Sequence, residues 1–294
     1  MNIITLQNEH ITVKIAPEKG SNMFSFRYKT HELIYTDPAL LETSGFTGNF
    51  VLFPTPNRVK DSTYQWNGKT VVQRKHGALR DIHGLVYDEP WNVVDQTQTS
   101  ATTSISLTDP FACTLQLRYE LTANGVSTTY TVTNEGEEEM PFGFALHPYF
   151  ARLSGDDQTY ITVPSKSWME SPADTLLPTG KLIDVSDKPY NLNTPRPIGE
   201  LSLDHVFTDL ISGKYAEIQY TTLGFKVVLK TSEDFTHTVV YTGHKNAVCI
   251  ENQTCSTDAI NLYNRGFENE SHILNLPPKK SHSGTVAYFV SALS

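Results

Sequence analysis

The chain is poor in positive charge, in cysteine and in helical periodicity, and each shortage excludes a class of function. Its 294 residues carry 23 Lys and Arg against 32 Asp and Glu, a formal net charge of −9. Such a surface repels phosphate backbones and anionic bilayers, so neither nucleic acid nor a membrane is an expected partner. No apolar run reaches the roughly 18 residues of a membrane-spanning helix. The first residues, Met1 to His10, lack the basic start and apolar core of a signal peptide, and the expected location is cytoplasmic. The cysteines are Cys113, Cys249 and Cys255. An odd, sparse set without a Cys-x-x-Cys pair builds no disulfide framework or zinc knot and fits free thiols in a reducing compartment. Also missing are Gly-x-x-x-x-Gly-Lys-Ser/Thr, Gly-x-Gly-x-x-Gly, His-Glu-x-x-His and Gly-x-Ser-x-Gly, which argues against a P-loop ATPase, a dinucleotide enzyme, a zincin and an α/β-hydrolase.

What dominates instead is alternation with period two. Cys113, Leu115, Leu117, Tyr119 and Leu121 alternate with polar residues, and Val126, Thr128, Tyr130 and Val132 repeat the pattern after Asn124-Gly125. Two half-buried strands around an Asn-Gly turn of type I′ make a hairpin. Asn67-Gly68, between Tyr64–Trp66 and Thr70–Val72, predicts a second. Further strands are predicted at Ile11–Ile15, Met23–Tyr28, Trp91–Val94, Thr102–Leu107, Phe142–Leu146, Tyr160–Val163, Ala216–Tyr220, Phe225–Leu229, Thr238–Tyr241, Ala247–Ile250 and Thr285–Val290. Only Pro38–Thr43 suggests a helical turn, and the proline-rich stretch Ser171–Ser202 reads as long connecting loops. The pattern predicts an all-β fold, a large sandwich of short antiparallel strands, forming a single domain over residues 1–294. A chain of this length buries enough surface to need no metal or disulfide staple.

Polar residues capable of chemistry stand beside apolar strand ends: Asn57-Arg58-Val59, Ile82-His83-Gly84, Leu146-His147-Pro148-Tyr149-Phe150, Leu203-Asp204-His205-Val206-Phe207 and Cys249-Ile250-Glu251-Asn252-Gln253-Thr254. A glutamate and two histidines where strands open into loops suit an acid/base pair in a cleft. Each also has an ordinary structural reading. His147 can cap a strand before proline, Glu251 can pair with a rim lysine, His83 can sit satisfied in the core, and Arg58 and Asp204 can be surface or loop residues. The histidines lack the spacing of a metal site, and no metal is expected.

Taken in order, these segments resemble the aldose 1-epimerase (galactose mutarotase-like) family over about residues 1–290. The most specific piece is His147-Pro148-Tyr149-Phe150 with Glu251 downstream, followed by Thr254, Asp258, Ala259 and Asn261. The resemblance implies a β-supersandwich with an open sugar-binding cleft and no cofactor. It implies Glu251 as general base, His147 as general acid, and Arg58, His83 and Asp204 as holders of sugar hydroxyls. The implied reaction interconverts the α and β anomers of an aldohexose, with carboxylate and imidazolium on opposite sides of C1 and O5. Three departures bear on substrate: Asn252 where many members have proline, Phe53-Pro54-Thr55-Pro56 in place of a glycine-rich lead-in, and Leu85 where hexose-phosphate members tend to have arginine.

Two other readings stand beside the mutarotase. A hexose-6-phosphate 1-epimerase needs a cationic phosphate site, for which Arg74, Lys75 and Arg80 are the nearby candidates. A carbohydrate-binding module would keep the cleft and turn nothing over, but binding alone does not call for an acid/base pair. The expected partner is a small-molecule sugar, bound by a monomer or homodimer.

Overall fold

The computed structural model describes residues 2–293 and consists mostly of antiparallel strands. A nine-stranded sheet runs in the order Asn92–Gln96, Ser100–Leu107, Cys113–Thr122, Gly125–Asn134, Ser281–Ala292, Phe225–Thr231, Ala216–Tyr220, Thr159–Thr162, Arg196–Pro197. A seven-stranded sheet carries β1 (Asn49–Leu52), β2 (Ala145–Ala151), β3 (Asp204–Leu210), β4 (His237–Tyr241) and β5 (Ala247–Gln253). From Leu182–Asp184 and Ser165–Met169 at one edge it continues through β3, β4, β5 and β2 to β1. A third sheet holds Ile4–Gln7, Ile11–Ala16, Asn22–Tyr28 and His31–Glu32. Their facing side chains form one large core, in which Tyr288 meets Phe150 of β2 at 5.3 Å and Phe26 at 6.4 Å between ring centroids.

The two Asn-Gly turns differ in a way that corrects one expectation. Asn67 and Gly68 both have positive φ, 49° and 75°, and Trp66 pairs with Lys69 around them. That is the type I′ geometry. In the longer hairpin Thr122 pairs with Gly125, so the turn is Ala123-Asn124, and none of these residues has positive φ. Gly125 serves a different need. A Cβ there would lie 2.0 Å from the carbonyl oxygen of Tyr288 on the neighbouring strand.

Other boundaries moved for physical reasons. The predicted strand Phe142–Leu146 is broken: Met140–Phe142 pairs with Leu274–Leu276, and β2 starts at Ala145 in another sheet. Gly143 permits the crossing, because a Cβ there would stand 2.3 Å from Cys255 Sγ. The proline-rich stretch holds two short strands, Leu182–Asp184 and Arg196–Pro197, each at a sheet edge, where a missing N–H is tolerated. The short helix Pro38–Thr43 forms with Asp37 as its cap, the carboxylate accepting from Ala39 N and Leu40 N. Among the described residues no helix is long and apolar enough to cross a membrane.

Candidate active site

Strand register collects the polar residues on one face of the seven-stranded sheet. β3 and β4 set Asp204 opposite Tyr241, while β4 and β5 pair Tyr241 with Cys249 and Val239 with Glu251. β5 and β2 pair Cys249 with Tyr149 and Ala145 with Gln253, which sets His147 beside Glu251. β1 completes the row with Phe50 opposite His147. Side chains alternate along each strand, so Leu146, Phe150, Val248 and Ile250 enter the main core while His147, Tyr149, Cys249 and Glu251 take the other face. His147 and Glu251 therefore lie inside strands, not at strand ends opening into loops as the sequence suggested.

Two loop segments add the remaining residues. The stretch after β1 is zipped to residues 82–85 by His83 N donating to Asn57 O (2.8 Å) and Leu85 N to Phe53 O (2.7 Å). Asn57, His83 and Gly84 all have positive φ, at 58°, 63° and 73°. A Cβ on Gly84 would meet the Phe53 carbonyl oxygen at 2.2 Å, so only glycine fits this approach. Left-handed backbone at two non-glycine residues is strain of the kind that accumulates at functional sites. Asn57 Oδ1 accepts from Arg58 N (2.9 Å) and Nη1 (3.1 Å), aiming the guanidinium. Arg58 Nη2 then lies 3.9 Å from Asp204 Oδ2.

All five residues singled out in the sequence, Arg58, His83, His147, Asp204 and Glu251, line one cleft of about 280 Å³ together with Asn57, Tyr149 and Tyr241. That volume suits one small ligand. Size alone does not choose the site, since a groove of about 520 Å³ opens elsewhere between Asp209, Lys214 and His272. The smaller cleft is distinguished by an imidazole and a carboxyl group in close contact.

His147 Nε2 is 3.1 Å from Glu251 Oε1, and both side chains are almost fully buried, at 7% and 2% exposure. The imidazole lies nearly parallel to the rings of Phe50 (4.5 Å, 17°) and Tyr149 (4.9 Å, 18°), which are themselves 6.4 Å apart, with the His83 ring edge-on at 5.2 Å. Burial pushes the His147 pKa down to about 3. It lifts Glu251 well above the carboxylate range, Asp204 adding to the rise, while hydrogen bonding from Gln253 and the charge of Arg58 oppose it. Burial thus works against charge on both members of the pair and favours a carboxyl beside a neutral imidazole over an ion pair. His83 is also driven well down, by burial and then by His147 and Arg58, leaving a neutral ring able to accept or donate one hydrogen bond.

Tyr241, Tyr149 and Gln253 are neighbours of the pair that sequence reasoning left without a role. Gln253 Nε2 reaches Glu251 Oε2 at 3.3 Å. The period-two rule places Tyr149 with His147 and Gln253 with Glu251, whereas Tyr241 needs the register between strands.

The comparisons with known proteins agree with this architecture. The sequence profile of the aldose 1-epimerase family matches residues 2–288, and the chain belongs to that family. Its members are carbohydrate epimerases of the isomerase class. "Uncharacterized protein YihR" of Escherichia coli K12 is 26% identical over 222 residues, 72% of this chain and 71% of that protein. A galactose mutarotase-like protein from Clostridium acetobutylicum superposes with a TM-score of 0.84 at 21% identity, over 99% of this chain and 95% of its own. The GalM/aldose epimerase homologue from C. elegans gives 0.84 at 17% identity, over 100% and 99%. Both structures carry the same fold.

Proposed function

We propose that the chain is a mutarotase that interconverts the α and β anomers of a free aldohexose, with Glu251 as base and His147 as acid. The observation that carries this reading is the 3.1 Å contact between them in a sugar-sized cleft. Opening a pyranose requires a proton to leave O1 and another to arrive at O5. Both oxygens are bonded to C1, so a base and an acid that serve them belong side by side. Adjacent strands supply that spacing more directly than placement on opposite sides of the ring.

The proton balance closes within the pair. Transfer along the 3.1 Å contact converts the resting carboxyl and imidazole into carboxylate and imidazolium, and Arg58 favours the carboxylate. Glu251 then takes the O1 proton as His147 gives one to O5. The C1–O5 bond breaks, an aldehyde forms at C1, and the pair is back in its resting state. Rotation about C1–C2 presents the other carbonyl face. In closure the O5 hydroxyl attacks C1, returns its proton to His147, and Glu251 protonates the new O1. Each positioned transfer contributes roughly 10²–10⁴-fold. Arg58, His83 and Asp204 hold the ring hydroxyls while the C1 end turns.

A neutral substrate is supported by the cations near His83. Lys75 pairs with Glu89 at 3.0 Å, and Arg80 bonds to Asp88 and Tyr87. Arg58 faces Asp204 and Glu251 in the cleft. Of the three candidate cations only Arg74, exposed and bonded to Gly77 O at 3.3 Å, has no carboxylate partner among the described residues, which leaves one cation for a 6-phosphate. One core drawing on residues from Ile4 to Val290 supports treating the chain as one domain, and three buried free thiols suit the cytoplasm. Polarimetry on freshly dissolved α-D-glucose, α-D-galactose and glucose 6-phosphate tests the proposal. Faster mutarotation of a free hexose supports it. Acceleration of the phosphate alone favours the hexose-6-phosphate reading, and binding of a free hexose without acceleration favours the binding module.

A further inference from the structure

Cys249 lies two residues before Glu251 on β5, on the same face, beneath the cleft floor and paired across its neighbours with Tyr149 and Tyr241. The proton transfers above do not use it. Its Sγ, one ring nitrogen of His147 and one carboxylate oxygen of Glu251 all lie within 4.8 Å of one another, and all three residues are buried. Cys113 and Cys255 do not belong to this cluster.

We infer that His147, Cys249 and Glu251 form an inhibitory site for a thiophilic divalent cation, with Zn²⁺ as the best match. One sulfur, one imidazole nitrogen and one carboxylate oxygen are a borderline-soft donor set, and three protein ligands with a fourth position open to water is a common zinc arrangement. Tetrahedral bonds of roughly 2.0–2.3 Å space ligand atoms by about 3.3–3.7 Å. Nε2 and Oε1, at 3.1 Å, are nearly there, and the sulfur, within the 4.8 Å that bounds the cluster, has at most about an ångström to close. Charge also balances. Binding releases the thiol proton and the proton shared by the pair, so one thiolate and one carboxylate neutralise the ion, and no net charge is buried. Mg²⁺, which demands six oxygen ligands, is rejected. Occupancy would remove acid and base together, so the inhibition rests on the mutarotase reading, whereas the binding does not.

Cobalt(II) reports the site without an activity assay. Titrating the full chain with Co²⁺ should give one equivalent of a thiolate-to-cobalt charge-transfer absorption with tetrahedral visible bands, both removed by Zn²⁺. Cys249→Ser should abolish the charge-transfer band, and His147→Asn should weaken Co²⁺ binding by at least about 10-fold. In mutarotation, Zn²⁺ should inhibit the wild type where Mg²⁺ does not, and Cys249→Ser should keep the basal rate and lose at least about 10-fold in Zn²⁺ sensitivity. No charge-transfer band, or a band that survives Cys249→Ser, overturns the site. A normal cobalt spectrum on a chain that accelerates no sugar keeps the site and overturns only the mutarotase reading.

Discussion

His147 Nε2 and Glu251 Oε1 lie 3.1 Å apart across neighbouring strands, in surroundings that oppose charge on either. That arrangement is a poor source of stability, because burying two polar partners at best breaks even, but it suits a reaction that takes a proton from one oxygen and gives one to its neighbour.

Removing either partner should therefore act on turnover. Glu251→Gln keeps size and hydrogen bonding but loses the proton acceptor, and His147→Asn loses the donor. Each should lower the catalysed rate by roughly 10²-fold or more with little change in sugar affinity. Arg58→Ala and Asp204→Ala should weaken binding and turnover together. A Glu251→Gln chain that mutarotates at the wild-type rate would leave the cleft a binding site only.

The pH profile follows from the shared proton. The competent pair holds one proton, so activity falls when a second arrives or the last leaves. Burial resists the second by driving His147 down to about 3 and retains the last by lifting Glu251. Mutarotation, corrected for the spontaneous rate, should be flat across mildly acid and neutral pH and fall on the alkaline side as the shared proton is lost. A decline centred near the ordinary histidine value of about 6.5 would mean that His147 titrates as an independent imidazole.

The sequence showed the strand-rich class and the five cleft residues because alternation and local motifs are short-range signals. Ala216–Tyr220 and Pro38–Thr43 have the predicted boundaries, each marked by a clear pattern or proline. It could not show how strands buried on both faces align. β1, Asn49–Leu52, is buried at every position, so no period marks its ends or faces. The sulfur beneath the acid/base pair was hidden for the same reason: Cys249-Ile250-Glu251 reads as apolar strand until β2 and β4 fix which side each residue takes.

Acid stability should report His237, which is fully buried on β4 with Thr236 Oγ1 on its Nδ1 at 2.9 Å and the His272 ring at 5.5 Å. Burial, then the neighbouring His272, pushes its pKa down to about 3, against a weak pull from the Glu270 backbone. The unfolded chain takes up a proton near pH 6.5 that the folded one refuses. Stability is therefore lost as pH falls from about 6.5 toward 3, by up to about 1.4 kcal/mol per pH unit from this residue. Denaturant unfolding between pH 7 and 4.5 should show a shallower slope in His237→Gln, whatever the variant's stability at neutral pH. Equal slopes would mean that His237 takes up the proton equally in both states.

Gln253 offers the clearest separation of positioning from chemistry. Its Nε2 donates at 3.3 Å to Glu251 Oε2, while His147 Nε2 approaches Oε1, and the residue is fully buried between β4 and β2. Gln253→Met removes that donor at similar volume. The carboxylate then loses a stabilising bond, so the pair holds its last proton more tightly and the alkaline limb of the pH profile should move to higher pH. The reactive tautomer, carboxylate with imidazolium, becomes rarer. The plateau rate should fall by about 10-fold, in line with the roughly 1.5–3 kcal/mol of a hydrogen bond to a charged group, while KM stays near its original value. Gln253→Glu should be worse, because a second carboxyl beside Glu251 raises its pKa further. A Gln253→Met chain whose rate falls with no displacement of the profile would show that the amide merely fills space.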